Sequence, residues 1–402
     1  VSTLLARMPV RRRALLRLVP WWLRVLLVFI ATRIVTTCIL LAFAAQQGQN
    51  SWTAASPNYF DYASMWDGRW YNIIAVWGYP STLPITDTGQ IGESAWAFMP
   101  LYPFVVRALM LLTGMSWAPA AVLISVLCGA GTALVAYKVF RHSLGESQAL
   151  FAVLLLCVAP TSPLFQLAYA ESMAFLLLAT ALLLLIRRRW GWLFPVVLVL
   201  GLTRPSGLAF AAAMAFYVIA RWFRRDREPF PRAQWLPALL LVGWSLVVGF
   251  LWPAIAWLVT GDIAAYTETE LAWRSAYIGY QELLPFTSWF QGLGWWFGST
   301  WGPALVVALV LFFLTVLAGS WTRRLDLESR AWIGGYAFYL LAFWFPQSST
   351  FRILAPMFPL LGALAVPRSV WFRVLLVLLG IAGQVAWIAL CWGVDGSDWT
   401  PP

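Results

Sequence analysis

The 402-residue chain is 61% hydrophobic and only 11% charged, against about 45–50% and 25% in globular domains; this excludes a water-soluble enzyme and gives an all-α polytopic membrane protein. Its net charge of +11 comes in short basic clusters between apolar runs. Such clusters orient membrane spans and contact anionic lipid, and a nucleic-acid partner is excluded. The one histidine, His142, follows Arg141 beside a cytoplasmic-looking cluster, so a His-based metal site or a Ser-His-Asp triad is excluded and proton transfer falls to carboxylates. Cys38, Cys128, Cys157 and Cys391 lie in or beside apolar runs without metal-ligand spacing and act as small core hydrophobes.

In chain order, residues 1–20 carry Arg7, Arg11, Arg12, Arg13 and Arg17 and form a cytoplasmic N-terminal segment by the positive-inside rule. The apolar run 21–45 is the first span. Ala42-Phe43-Ala44 resembles a signal cleavage site, but the run exceeds the usual h-region of about 7–15 residues, so an uncleaved span is expected. Residues 46–117 form a long outer loop, and loops of that length are generally functional. Within it, 98–112 is apolar, is interrupted by Pro100, Pro103 and Arg107, and is too short to cross, so it is expected to lie in the interface.

Transmembrane helices are expected over 118–260 and 301–393, with a second outer loop at 261–300. Several of the apolar runs (149–159, 172–186, 193–202, 208–220) fall short of the roughly 20 residues a span needs. Either they borrow residues from the Pro/Ser/Gly-bearing breaks between them, or the protein is recessed there, because irregular backbone at membrane depth survives only against protein or water. The single membrane domain 1–402 then has about eleven spans, give or take one or two, with its N-terminus inside and C-terminus outside. On that path about 21 of the 27 basic residues fall inside, as the insertion rule demands.

Asp67, Arg69, Glu93, Glu171, Arg204 and Arg352 fall on the outer face. Arg204, in Thr203-Arg204-Pro205-Ser206-Gly207, and Arg352 sit at outer helix breaks, against the positive-inside bias, and so require an anion. A protein carboxylate such as Glu171 is one partner; a phosphate, which guanidinium forks match, is the other. Asp67, in Trp66-Asp67-Gly68-Arg69-Trp70-Tyr71, is either a base at a water-facing mouth or the partner of Arg69 in an aromatic belt. Glu171 either caps a helix or lines a cavity, and Glu93 is a loop acid or a site acid. Tyr102 lies between Pro100 and Pro103, which fix its backbone. Asp61 lacks the aromatic and basic framing of Asp67, and Arg33, in mid-span, is expected to be buried and bonded to a neighbouring helix.

Taken together, the Trp66–Tyr71 stretch, Glu93 with Phe98-Met99-Pro100-Leu101-Tyr102-Pro103, Ala168-Tyr169-Ala170-Glu171-Ser172, Thr203–Gly207, and Arg352 with Pro356 and Phe358-Pro359 resemble, in order, the PIG-V-type mannosyltransferases and their bacterial relatives. That family is similar to the GT-C glycosyltransferases. The resemblance covers about residues 60–365. It implies a GT-C-like helix bundle with interfacial helices in the first outer loop, a polyprenyl-phosphate sugar as donor, and no other cofactor. It also implies Asp67 as catalytic base, with Glu93, Glu171, Arg204 and Arg352 lining the donor and acceptor cavity; Arg69 and Tyr102 complete the donor-binding candidates.

The activity implied is inverting transfer of a sugar, mannose by the resemblance, to a glycolipid, glycan or protein hydroxyl at the outer face of a bacterial plasma membrane. No Gly-rich phosphate loop or DxD motif is present, so no nucleotide-sugar site and no divalent metal are expected. A lipid-linked sugar transporter would place charges at midplane on internal repeats, and a noncatalytic assembly protein would leave the outer arginines unexplained.

Overall fold

In the computed structural model, residues 19–393 and 401–402 are described; the basic segment Arg7–Arg17 and the acidic Asp395 and Asp398 lie outside them. Among the described residues there is no strand beyond an isolated Ile85–Ile91 bridge, and the protein is an all-helical membrane protein. Helix α1 (Trp21–Gln46) is followed by α2 (Tyr59–Ala63), α3 (Asp67–Trp77) and α4 (Leu101–Thr113) in the first long loop. Next come α5 (Trp117–Ser143), α6 (Glu146–Val158), α7 (Glu171–Ile186), α8 (Trp190–Gly201), α9 (Gly207–Phe223) and α10 (Arg232–Thr260). The second long loop holds α11 (Ala265–Ala272) and α12 (Ser275–Ile278); α13 (Ser288–Ala318), α14 (Leu327–Phe343), α15 (Thr350–Leu354), α16 (Leu360–Leu364) and α17 (Val370–Cys391) complete the described chain.

Of these, α1, α5, α10, α13 and α17 are long and apolar enough to cross a membrane. The helices between them are short: α6, α7, α8 and α9 have 13, 16, 12 and 17 residues. They do not lengthen by borrowing from the breaks. Instead α6 and α7 are separated by a 3₁₀ turn over Ser162–Gln166 and α8 and α9 by the turn 202–206, and α14 is followed by the broken pair α15–α16. At about 1.5 Å per residue α8 is only about 18 Å long, so the irregular backbone is recessed within the bundle, where neighbouring helices cover it.

In lipid, helices gain little by burying apolar area against each other and associate through close van der Waals contact, which favours small residues. Helix α9 shows this on two sides. A methyl group on Gly207 would lie 2.4 Å from the Gly249 nitrogen of α10, and one on Gly335 of α14 would lie 2.3 Å from the Ala213 nitrogen of α9. Only glycine admits these crossings, and they fix the turn 202–206 that carries Arg204.

Both long loops are tied to the breaks by main-chain bonds. The Ala168 amide donates to Ala63 O (3.0 Å), the Leu101 amide to Leu202 O (3.0 Å), and the Phe286 amide to Ala342 O (2.8 Å). Indole donors add to this: Trp252 Nε1 to Trp96 O (2.9 Å) and Trp66 Nε1 to Cys391 O (2.7 Å). The first loop is therefore a lid fixed over the helix ends.

Two helix starts differ from what the apolar runs suggest. Helix α14 begins at Leu327, five residues before the apolar stretch that opens at Trp332, because Asp326 caps it by accepting from the Ser329 amide at 2.7 Å. Helix α13 starts inside the expected outer loop and kinks at Gly298 (φ 82°), so residues 288–297 form a separate arm and the apolar stretch starts beside Trp301, as the sequence suggests. Trp295, Trp296, Phe297 and Trp301 are exposed around this kink, as expected of rings at an interface.

Arg33 is buried and bonded to its neighbours as expected. Its guanidinium donates to Ser162 O (2.6 Å), Cys157 O (2.5 Å) and Gln166 Oε1 (3.3 Å), occupying carbonyls that the α6 break would otherwise strand. Arg33→Leu should orphan two of these carbonyls and cost about 2–4 kcal/mol. Thermal unfolding in detergent measures this, and an unchanged midpoint would show that the break is held by other contacts.

Candidate active site

Asp67 opens α3 from a strained turn. Trp66 before it has φ 58° and ψ −121°, a conformation that costs a non-glycine residue about 1–3 kcal/mol and persists only when its surroundings enforce it. The enforcement is visible: the Trp66 indole is tied to Cys391 O and its ring lies 4.9 Å from that of Trp52. The Tyr169 hydroxyl spans the turn, donating to Met65 O and accepting from the Asp67 amide, each at 3.3 Å. Gly68 comes next because α3 packs directly on the chain before α7; a methyl there would meet Ala168 O at 3.3 Å. The turn thus delivers a carboxylate in the first turn of α3, where the helix dipole stabilises it.

That carboxylate meets Arg352, on α15, in an ion pair. Arg352 Nη1 also lies 3.3 Å from Glu171 Oε1, and Arg204 Nη2 lies 3.2 Å from the same oxygen. Glu171 is only 3% exposed and Arg352 8%. The four groups form a chain, Asp67–Arg352–Glu171–Arg204, with two positive and two negative charges. Arg352 also lies over the Tyr169 ring (5.6 Å), and Arg204 Nη1 donates to the Tyr71 hydroxyl. The anion that the two outer-break arginines require is thus supplied by Asp67 and Glu171. Glu171 begins α7, but no side-chain cap bond is made there; its Oε1 is the hub of the cluster.

Arg204, Arg352 and Glu171 form the charged end of a cavity of about 490 Å³. Its walls are aromatic, with Trp252, Tyr266, Trp273, Tyr336, Tyr339 and Trp344. Asp67 does not line it; its carboxylate reaches this space through Arg352. Among the described residues no three His, Cys, Asp or Glu side chains are gathered closely enough to hold a metal ion.

Three candidates lie elsewhere. Arg69 is exposed, over the Trp52 ring at 5.5 Å, because one residue along α3 from Gly68 turns the side chain away from the bundle. Glu93 is also exposed and borders a different groove, with Trp70, Trp77 and Tyr79. Tyr102 is fully buried, its hydroxyl bonded at 3.0 Å to Ala121 O and to Ser125 Oγ, and its ring edge-on to Tyr71 at 5.2 Å. It supports Tyr71 from behind the cavity wall. Asp61 accepts from Asn58 Nδ2 at 2.6 Å in the first turn of α2.

Glu270 and Arg274, which the sequence does not single out, line the cavity from the second long loop. Burial pushes the Glu270 carboxyl up to about 7. The available signal was an acid four residues from both Tyr266 and Arg274 and close to Trp273, but in an acidic, aromatic loop that pattern does not stand out.

No family model matches the sequence, and no curated protein does. The chain is similar to the crystal structure of the Archaeoglobus fulgidus oligosaccharyltransferase in complex with Zn and sulfate, with 15% identity and a TM-score of 0.43 over 92% of this chain and 53% of that one. It spans about half the length of that protein. At that level of likeness, any activity has to be argued from the side chains of this chain.

Removing Glu171 would leave the half-buried Arg204 without its carboxylate, and breaking a largely buried pair from one side costs about 3 kcal/mol. Glu171→Gln should lower the unfolding midpoint in detergent, and adding Arg204→Met should restore part of the loss. Strictly additive losses would show that the two residues are not coupled.

Proposed function

We propose that this protein is a glycosyltransferase that moves a sugar from a lipid phosphate to an acceptor hydroxyl. In the fuller form suggested by the sequence resemblance, it is a GT-C-type enzyme of the PIG-V-like group, with polyprenyl-phosphate mannose as donor. The observation that carries this proposal is the pair of guanidinium groups, Arg204 half-buried and Arg352 buried, at the end of an aromatic cavity where they share a carboxylate.

Guanidinium forks bind carboxylate and phosphate with the same geometry. A lipid-borne phosphate entering the cavity would compete with Asp67 and Glu171 for Arg352 and Arg204. When Arg352 turns to the phosphate, the Asp67 carboxylate is released and becomes available as a base. The acceptor O–H then gives its proton to Asp67 while its oxygen forms a bond to the anomeric carbon. The bond from that carbon to the phosphate oxygen breaks, its electron pair stays on the phosphate, and the configuration inverts. The leaving phosphate gains one negative charge, which the two arginines stabilise by preorganised electrostatics.

Orientation supports the proposal. The clusters Arg187-Arg188-Arg189 and Arg221-Trp222-Phe223-Arg224-Arg225 follow the ends of α7 and α9 that are remote from Glu171 and Arg204. By the positive-inside rule those ends are cytoplasmic, and the cavity belongs to the outer face of a bacterial plasma membrane. Arg33, a mid-span charge of the kind a transporter would use, spends both of its terminal guanidinium nitrogens on holding the α6 break.

Asp67→Asn should leave the protein folded and able to bind polyprenyl phosphate, and should lower sugar transfer from polyprenyl-phosphate mannose about 10²–10⁴-fold. Turnover in proteoliposomes, with product identified by mass spectrometry, checks this. Near-normal transfer by the variant would remove Asp67 as the base, and movement of the intact donor across the bilayer without transfer would favour transport.

A further inference from the structure

The charged end of the cavity accounts for a phosphate, but another part of its wall carries polar groups unsuited to one. Tyr266 and Glu270 lie four residues apart and so face the same way on α11, and Trp273 and Arg274 follow directly; all four line the cavity. The Trp273 indole Nε1 is buried with no hydrogen-bond partner, and so is Glu171 Oε2. Buried polar atoms are nearly always paired; the open Glu171 oxygen belongs to the charged end, whereas the open Trp273 donor on this other wall points to a second polar group of a ligand.

These groups are held in place. The Trp273 ring stands edge-on to Trp70 at 5.9 Å and to Phe98 at 6.0 Å. Arg274 is buried and donates from Nη1 to Ser288 Oγ at 3.1 Å. A carboxyl group here would repel a phosphate. A carboxyl and a guanidinium four residues apart on one cavity wall, next to a fixed indole face, instead suit a neutral ring bearing neighbouring hydroxyls: its O–H groups donate to the carboxyl and accept from the guanidinium, and its C–H face covers the indole.

We propose that Glu270, Trp273 and Arg274 form a hydroxyl-reading subsite for the hexose ring carried on the lipid phosphate. The subsite rests on the function proposed above and adds a specificity-determining wall built by the second long loop. Glu270 is faced by Tyr266 from its own helix, Arg274 beyond it, Arg204 from the α8–α9 turn, Tyr339 of α14 and Asp67 of α3. With its carboxyl pushed up to about 7 by burial, Glu270 gains its charge as pH rises through that value. Hydrogen bonds to the ionised form are about twice as strong as neutral ones, so affinity for the sugar should rise over the same interval.

The test uses the full chain in detergent and measures binding of polyprenyl phosphate and of its mannosyl, glucosyl and galactosyl forms. The wild type should bind one sugar form about tenfold or more tightly than the bare lipid phosphate, as expected for hydrogen bonds to charged groups. Glu270→Gln and Trp273→Ala should remove that increment and leave bare polyprenyl phosphate binding within about twofold; Arg352→Gln should weaken every lipid. In the wild type the increment should grow between about pH 6 and 8, and in Glu270→Gln it should be flat. If the wild type binds the bare and sugar-bearing lipids alike, or the two variants weaken all lipids equally, the subsite is wrong while the phosphate site stands. If no polyprenyl phosphate binds at all, the lipid-phosphate function fails and the subsite fails with it.

Discussion

One carboxylate oxygen organises the molecule. Glu171 Oε1 is shared by Arg352 and Arg204, and Arg352 carries the line of charge on to Asp67. Four ionised groups can sit so deep only because they sum to zero and because each guanidinium meets an anion; separating any of them would leave a charge whose desolvation nothing offsets. The four residues come from four places in the chain: the start of α3, the start of α7, the turn before α9, and α15. Their convergence explains why the intervening helices are short and why glycines stand at the α9 crossings.

The same arrangement makes the site a place of exchange. Arg352 holds two anions at once, and on the proposed function a phosphate of comparable shape would take the place of one of them. On that reading binding would substitute one anion for another, and the carboxylate displaced would be Asp67, which sits at a strained turn on a fixed lid. Positioning by main-chain bonds at Ala168, Leu101 and Phe286 keeps that lid in register with the helix breaks while the side chains change partners.

Much of this was legible in the sequence where a residue broke a strong rule. Arg204 and Arg352 stood out because arginine at an outer break opposes the insertion bias, and the structure brings both to Glu171, the partner named for them. The short apolar runs left open whether the helices borrow residues from the breaks or stay short, and the structure keeps them short. What stayed hidden depended on which way a side chain turns or how closely two backbones pass. Arg69 is two residues from Asp67, yet α3 rotates it outward; Glu93 sits near an aromatic-proline motif, yet its loop folds to another groove. Glu270 breaks no rule of sequence, because an acid in an acidic loop is ordinary until tertiary packing buries it. The Gly298 kink was likewise unreadable, since glycine is common in membrane helices and only its φ of 82° marks this one.

The brevity of α8 has a consequence for the lipid around it. The hydrocarbon core of a bilayer is about 30 Å thick, and a 12-residue helix offers it a wall of only about 18 Å. Acyl chains beside that wall must shorten or splay, and such mismatch draws the leaflet inward at a cost of a fraction of a kcal/mol per ångström. Headgroups on that flank would ride in a dimple whose floor approaches the level of Arg204. On the proposed function, a lipid presenting its phosphate there would travel a shorter distance through hydrocarbon.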